Sequence, residues 1–236
     1  MLDAGCGTGR ATKIIANTVK KGKVYAVDAD ENMIANAKKN LKGFSNIVYV
    51  KSDLLDLRLP EKVDLIFSNA VIHWILDHKR LFTKFWELLE HGGEMLIQCG
   101  GKGNLGYTHV MLEEIRKSNR FKQYFEGWKN PWNFATPTET IEILNSIGFR
   151  DSQAFLTKST ACFDNHQEFI LFMKTVVMKP YLSYLPNSDD NDYGNKIRDS
   201  FIGIYWDKHK EQFARKKDNR NLLQLDYVRL NIMGRK

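Results

Sequence analysis

Hydrophobic and polar positions in the first hundred residues follow two alternating periods. The runs "MLDAG", "GKVYAVDAD", "NIVYVKSD", "VDLIFSNA" and "EMLIQCG" are short, apolar and closed by glycine or polar residues, the pattern of buried strands. Between them, "RATKIIANTVKK" carries Ile14, Ile15, Ala16 and Val19 at helical spacing, and "ENMIANAKKNL" reads as a helix with one polar face. The stretch "HKRLFTKFWELLEHGG" reads as a helix whose double glycine predicts a C-cap before the next strand. Strands alternating with helices imply a parallel sheet covered by helices on both faces.

After Gly101 the alternation loosens. "NLGYTHVMLEEIRKSNRFKQYFEGW" predicts a helix, and "KNPWNFATPTE" a loop ending in a Thr-Pro helix start. "TETIEILNSIGF" predicts a helix closed by Gly148, "RDSQAFLTKSTACF" a strand, and "HQEFILFMKTVVM" a further helix. "PNSDDNDYGN" is acidic and turn-rich, "KIRDSFIGIYWDKHKEQFARKK" is amphipathic, and "LLQLDYVRLNIMGRK" alternates like a strand. The return to strand favours one domain of 236 residues. The expected architecture is an α/β, Rossmann-like, doubly wound sheet, mostly parallel. A core over 1–101 is followed by mainly helical insertions over 102–223 around a strand at 149–157, and by a final strand at 224–236.

Composition narrows the function classes. At 43% hydrophobic and 27% charged residues the chain is an ordinary globular sequence. Cys6, Cys99 and Cys162 form no CxxC pair, which fits neither a disulfide framework nor a zinc site and predicts a reducing, cytoplasmic setting without a metal. No basic-then-apolar leader begins the chain, and its most apolar window, "FILFMKTVVM", is short and carries Lys174, so no membrane partner is expected. The net charge of +7 admits a nucleic-acid partner or an anionic small molecule. Because the excess lies largely in "KKGK" and "DKHKEQFARKKDNR", which read as solvated surface, the anionic small molecule is preferred.

The candidate chemistry begins at the first turn. A glycine-rich passage from strand to helix lets the backbone approach a ligand closely, with helix N–H groups aimed at it. The dinucleotide pattern G-x-G-x-x-G would need a glycine at Arg10; what stands instead is Asp3-x-Gly5-x-Gly7-x-Gly9. That form resembles motif I of the class I S-adenosylmethionine-dependent methyltransferases. "VYAVDAD" with Asp28, "VKSDLL" with Asp53 and "DLIFSNAVIHWILDHKRLF" stand at the family's spacing. The loop after the fourth strand, with "LLEHGGEMLIQCGG", "NPWNFATPTETIEILNSIGF" and "YVRLNI", is similar to the trans-aconitate methyltransferase branch, and malonyl-carrier-protein methyltransferases are similar through the same loop.

The resemblance implies a seven-stranded sheet and S-adenosyl-L-methionine as cofactor. It implies a cofactor set of Asp3, Gly5, Cys6, Gly7, Gly9, Asp28, Ala29, Met33, Ser52, Asp53, Leu54, Asn69 and Ala70. Within it, Asp28 would accept from ribose hydroxyls as a charge-assisted pair, and Asp53 from the adenine amino group. Asp3 is read as bracing the turn by accepting backbone N–H groups and touching the cofactor only indirectly. Met33 packs on adenine or in the core. Asp30 is a ligand or, preferably, the N-cap of the next helix. Cys6 suits close packing better than nucleophilic chemistry.

His73 and Trp74 follow the fourth strand and are candidates for the catalytic pocket, against a structural histidine and a core tryptophan. Trp132 and Phe134, with Asn133 and Thr136, cap the acceptor pocket or pack inward at a helix start near Thr138. Tyr193, Arg198 and Arg229 divide between substrate contacts and surface.

Methyl transfer is an in-line displacement, and a carboxylate acceptor is already ionised, so it needs no base. The preferred expectation is O-methylation of a small carboxylic acid. An amine or phenol, which would need His73 as base, and a malonyl carrier protein are alternatives. A cofactor-binding regulatory subunit is the alternative of another class. The first strand has few residues before the turn, and neighbours without ladder partners lose about 1–3 kcal/mol per buried group. The expectation is that Met1 is not the biological start, or that a preceding segment was lost or left out.

Overall fold

The computed structural model describes residues 1–186, 192–215 and 223–236. The alternating pattern folds as it predicts through the first half. β1 (Leu2–Ala4) leads to α1 (Arg10–Thr18), β2 (Val24–Asp28) to α2 (Glu31–Asn40), and β3 (Ile47–Lys51) to β4 (Val63–Asn69). A single turn of 3₁₀ helix at Ile72–Trp74 precedes α3 (His78–Leu88) and β5 (Leu89–Gly100). α4 (Gly106–Lys117), α5 (Pro137–Ile147) and β6 (Arg150–Cys162) follow, then α6 (His166–Phe172), α7 (Lys179–Leu182), α8 (Asp192–Arg215) and β7 (Gln224–Arg235).

The strands form one seven-stranded sheet in the order β3-β2-β1-β4-β5-β7-β6. β1 pairs in parallel with β2 (Leu2 with Tyr25, Ala4 with Val27) and with β4 (Leu2 with Ile66, Asp3 with Phe67). β7 enters antiparallel beside β5, from Glu94 opposite Arg235 to Gly100 opposite Arg229. This is a Rossmann-like, doubly wound arrangement with a reversed strand near one edge, as the sequence led us to expect.

The chain divides into two compact units, residues 1–102, 132–157 and 228–236, and residues 103–131 and 158–227. In the first, one sheet face carries Leu2, Val27, Ile66, Met95, Ile97 and Ile232, packed under Phe82 and Phe85 of α3 and Leu144 of α5. On the other face, Ala26 is covered by Ile34 and Ala37 of α2 together with Cys6. In the second unit Phe121, Phe125, Tyr181 and Phe201 are buried against one another. The Arg116 guanidinium lies over Phe125 and Trp128 and is held by Glu113.

Several local expectations give way. The double glycine does not cap α3; it lies inside β5, where the register slips between Val63–Leu89 and Leu65–Glu94. Gly92 adopts φ +79° there, and a side chain on Gly93 would come within 3.1 Å of the Asp64 carbonyl. The end of α3 is met instead by a cation: Lys236 Nζ donates to the Trp86 and Leu89 carbonyls at 2.6 and 2.8 Å, favourable at a helix C-terminus.

The long helix expected before Trp128 stops at Ser118, whose hydroxyl donates to the Ile115 carbonyl and competes with the helical ladder. α5 does start at the Thr-Pro step, two residues before Thr138: Thr136 is its N-cap, in a reciprocal box with Glu139 and with Pro137 at the first helical position. In α1 only Ala16 of the four apolar positions is buried, beside Thr12, while Ile14 is 68% exposed. In the stretch "DKHKEQFARKKDNR", His209 is buried in α8, one turn from Tyr205 and two from Phe201. Residues 216–220 of that stretch, and 187–191 of the acidic one, lie outside the described residues. Among the described residues, no helix is long and apolar enough to cross a membrane.

Candidate cofactor and acceptor site

The glycine turn is held to the sheet by its own backbone. Gly5 and Cys6 N–H both donate to the Val27 carbonyl at 2.8 Å, and Gly9 N–H donates to the Cys6 carbonyl at 3.0 Å. Gly5, Gly7 and Gly9 all have positive φ, and they use it differently. A side chain on Gly5 would lie 2.2 Å from Val71 Cγ2, and one on Gly9 2.6 Å from Leu41 Cδ1, so both serve close packing. A side chain on Gly7 would meet nothing within 4 Å. Gly7 is therefore where the backbone lies open to a ligand.

Two carboxylates stand beside the turn. Asp28, at the end of β2, accepts from Gly7 N–H through Oδ2 and from Asp30 N–H through Oδ1, both at 2.9 Å. An ionised carboxylate has about four acceptor positions, so two are left for ligand hydroxyls. Asp3 is 1% exposed and accepts from the Thr12 hydroxyl at 2.6 Å, pinning β1 to α1. It braces the turn through Thr12 and not through backbone N–H groups. Burial pushes its carboxyl up to about 6, against the Thr12 bond and with the help of Asp28. Cys6 packs under the turn with Ala26, Ile34 and Ala37; burial, then Asp3 and Asp28, push its thiol up to about 12.

Asp30 is the N-cap of α2, accepting from Asn32 N–H at 2.8 Å. Ala29 is exposed beside it and Met33 is half-buried on the first turn of α2. After β3, Ser52 N–H donates to the Asp28 carbonyl, tying the two strand ends together. Asp53 is exposed and accepts from Leu55 N–H through one oxygen, while Leu54 is buried in the core. At the end of β4, Asn69 is exposed and Ala70 takes φ +60°, with its N–H donating to the Gln98 carbonyl at 2.7 Å. A left-handed alanine costs about 1–2 kcal/mol, strain located at a ligand-facing strand end. The strand ends thus bring Gly7, Asp28 and Asn69 to the carboxyl edge of the sheet, where open α/β sheets bind ligands.

The loop after Ala70 is tied down at His73. Beyond Asn69 no β4 residue pairs with β5, and on that side the Gly100 N–H donates to His73 Nδ1 at 3.3 Å. The His73 carbonyl accepts from Asn133 N–H at 2.8 Å, and Asn133 Nδ2 donates to the Leu76 carbonyl. With Nδ1 as acceptor, the neutral ring carries its proton on Nε2. Around it, Phe134 stacks on His73 at 5.8 Å and Trp132 lies 5.6 Å from Trp74. Trp132 is 7% exposed and Trp74 41% exposed, so Trp74 is the face this cluster offers outward. The loop's other titratable group, Asp77, caps α3 through Arg80 N–H.

Val71, Thr12 and Gly100 complete this geometry without having been singled out in the sequence, whereas Asn133 was among the candidates for the acceptor pocket. Tyr193 lies at the start of α8 with its hydroxyl 2.7 Å from that of Tyr124, and Arg198 donates to the Pro186 carbonyl.

The chain is similar to known proteins in sequence and in fold. A family model described as a methyltransferase domain matches residues 2–97, the span from β1 into β5. The trans-aconitate 2-methyltransferase of Sinorhizobium medicae is 28% identical over 225 residues, covering 94% of this chain and 82% of its own. That of Deinococcus radiodurans is 26% identical, covering 86% and 80%. Among solved structures, a phosphoethanolamine N-methyltransferase of Haemonchus contortus bound to S-adenosyl-L-methionine superposes with a TM-score of 0.57 at 20% identity. It covers all of this chain, which spans 48% of the nematode enzyme's length. An S-adenosylmethionine-dependent methyltransferase of Mesorhizobium loti gives 0.52 at 16% identity, covering 100% and 90%.

Proposed function

We propose that this chain, an S-adenosylmethionine-dependent methyltransferase, esterifies a small carboxylic acid of the trans-aconitate kind. Gly5, Cys6 and Gly7 would hold the cofactor through their backbone, Asp28 and Asp53 through their carboxylates, and Asn69 and Ala70 at the end of β4. The open side of Gly7 and the spare acceptor positions of Asp28 fit a ligand that brings neighbouring hydroxyls to a bare peptide. When bound, S-adenosylmethionine supplies a methyl carbon made electrophilic by a positive sulfur.

The observation that carries the choice of acceptor is the engagement of the loop's titratable groups. His73 Nδ1 is an acceptor for Gly100 N–H and Asp77 is the cap of α3. A loop so arranged orients an acceptor without taking a proton from it. That suits an oxygen nucleophile already ionised at neutral pH, whereas an amine or phenol needs a base. The contribution of the chain is then position and dryness: Trp74, Trp132 and Phe134 wall the acceptor from water, and the clamp at His73 fixes the wall. The trans-aconitate relatives support the same acceptor class. The net charge of +7 favours anion capture, and the acceptor is taken to be anionic.

The test is methyl transfer from labelled donor over a panel of mono-, di- and tricarboxylic acids, with amines, phenols and a malonyl carrier protein as controls. Formation of a base-labile methyl ester is expected. Donor binding with transfer to a control and to no acid would replace the acceptor assignment. Donor binding without transfer to anything would make the chain a regulatory subunit.

A further inference from the structure

The charges of the chain are unevenly placed. Residues 4–27 and 32–52 carry lysines and an arginine throughout and not one carboxylate. On α3 and α4 cations meet carboxylates: Lys84 pairs with Glu87, Arg116 with Glu113, and Lys208 of α8 with Glu114. Within the two acid-free stretches, Lys23 reaches Glu61, Lys51 reaches Glu31, and Lys38 lies over the Tyr49 ring. Among the described residues, Arg10, Lys13, Lys20, Lys21, Lys39 and Lys42 are exposed and form no ion pair.

Those six gather around α1. Along the helix, Arg10, Lys13, Ile14 and Asn17 recur at the spacing of a single face, all exposed, opposite the buried Thr12 and Ala16. The chain after α2 runs beside it: Asn40 Nδ2 donates to the Thr8 carbonyl, and Asn46 Nδ2 to the Ala16 and Val19 carbonyls, each at 3.0 Å. Lys39 and Lys42 are thereby carried alongside α1, and Lys20 and Lys21 follow directly after its last turn. The helix itself has no use for this set. Arg10 and Lys13 stand in its first turn, where the macrodipole opposes cations and where no acid offsets them. At its far end Asn46 already meets the Ala16 and Val19 carbonyls, so Lys20 and Lys21 are not needed there. Ile14, 68% exposed, stands in the middle of the cations.

Unmatched cations at this density fit a polyanionic partner, and the kinds of polyanion differ in what they need. A protein interface depletes lysine in favour of arginine and aromatic residues. Nucleic acid is met by guanidinium groups and stacking rings, whereas here lysine predominates and none of the exposed residues is aromatic. A lipid surface takes diffuse lysine charge on an amphipathic helix, around an apolar side chain that enters the headgroup layer. Lys13 and Ile14, adjacent on α1, supply both. We infer that α1, with the adjoining end of α2, docks this chain on an anionic phospholipid surface. The sequence spoke against a membrane partner through its lack of a long apolar run, which a surface contact does not need. The inference is independent of the acceptor.

Flotation with vesicles tests it. The full chain is mixed with vesicles of phosphatidylcholine alone, or of phosphatidylcholine with about one-third phosphatidylglycerol, at low salt and at about 0.5 M NaCl. Wild type should float with the anionic vesicles at low salt only. Lys13→Gln combined with Lys20→Gln should weaken that binding about 10- to 30-fold, and Ile14→Ser about fivefold or more. Lys84→Gln combined with Lys208→Gln removes the same net charge from matched pairs and should bind like wild type. Wild type that leaves the anionic vesicles unbound overturns the inference. Equal weakening by the matched-pair variant would assign the binding to net charge and not to this face, and would overturn it too. An Ile14→Ser protein that binds like wild type would remove the apolar contact on which the choice of a bilayer rests. Wild type that binds duplex RNA at the same salt and ignores the vesicles would give the face to nucleic acid instead.

Discussion

Replacing Gly5 and Gly7 by alanine, one at a time, separates packing from ligand approach within a single turn. At Gly5 the new methyl would stand 2.2 Å from Val71 Cγ2 on a backbone at φ +83°. Left-handed strain costs an L-residue about 1–2 kcal/mol, and forcing a methyl into filled space about 1–3 kcal/mol. Gly5→Ala should thus lose about 2–5 kcal/mol of stability. It should also displace Val71 and the acceptor loop that Val71 begins. At Gly7, φ +53° lies within the narrow left-handed well and the new methyl meets no protein atom, so the stability cost is about 1 kcal/mol. The same methyl would stand in the open side of the turn, and affinity for S-adenosylhomocysteine should fall at least about tenfold, or ~1.4 kcal/mol. Urea denaturation read by circular dichroism gives the first quantity, and calorimetric titration the second. A Gly7→Ala protein that binds like wild type would remove Gly7 from the cofactor site. A Gly5→Ala protein as stable as wild type would refute the packing argument.

Two further outcomes follow from buried groups. The Asp3 carboxyl is held up to about 6 when folded, against 3.8, so the folded chain binds the extra proton between those values and stability falls as pH rises from about 4 to 6. Asp3→Asn should flatten that slope in urea denaturation at pH 4.5 and 7.5 and be no less stable than wild type at the higher pH; an unchanged slope would count against the assignment. Burial pushes the Cys6 and Cys99 thiols up to about 12, whereas Cys162 is exposed. Iodoacetamide at pH 8 should therefore label Cys162 alone until denaturant is added, and mass mapping of early adducts on Cys6 would contradict its place under the turn.

Legibility in the sequence followed contact range. β1 to β5, the turn at Gly5–Gly9 and the cap at Asp30 are local patterns, and each was readable from fewer than a dozen residues. The double glycine misled because helix capping and a strand slip share the same residues; only the pairing of Val63 and Leu65 with Leu89 and Glu94 distinguishes them. Ile14 had helical spacing, but the buried side of α1 is set by Thr12 reaching Asp3. The hydrogen bond from Gln98 to Asn231 was invisible because the two are 133 positions apart and become neighbours only through strand register. His73 could be singled out by its place after β4, while its bond to Gly100 could not.

The insertion of β7 between β5 and β6 has a kinetic side. Pairing Glu94 with Arg235 closes a span of 141 residues, and every ladder contact of β7 with β5 has similarly long range. Such contacts carry their loop-closure entropy before any pairing rewards it, and they slow folding. On a ribosome, β5 and β6 are both made long before the strand that joins them, and each waits with an open edge able to pair with another chain. The last dozen residues therefore govern when the first unit, begun at Leu2, can close its sheet. Yield on refolding should depend on protein concentration more steeply than the stability of the finished sheet would indicate.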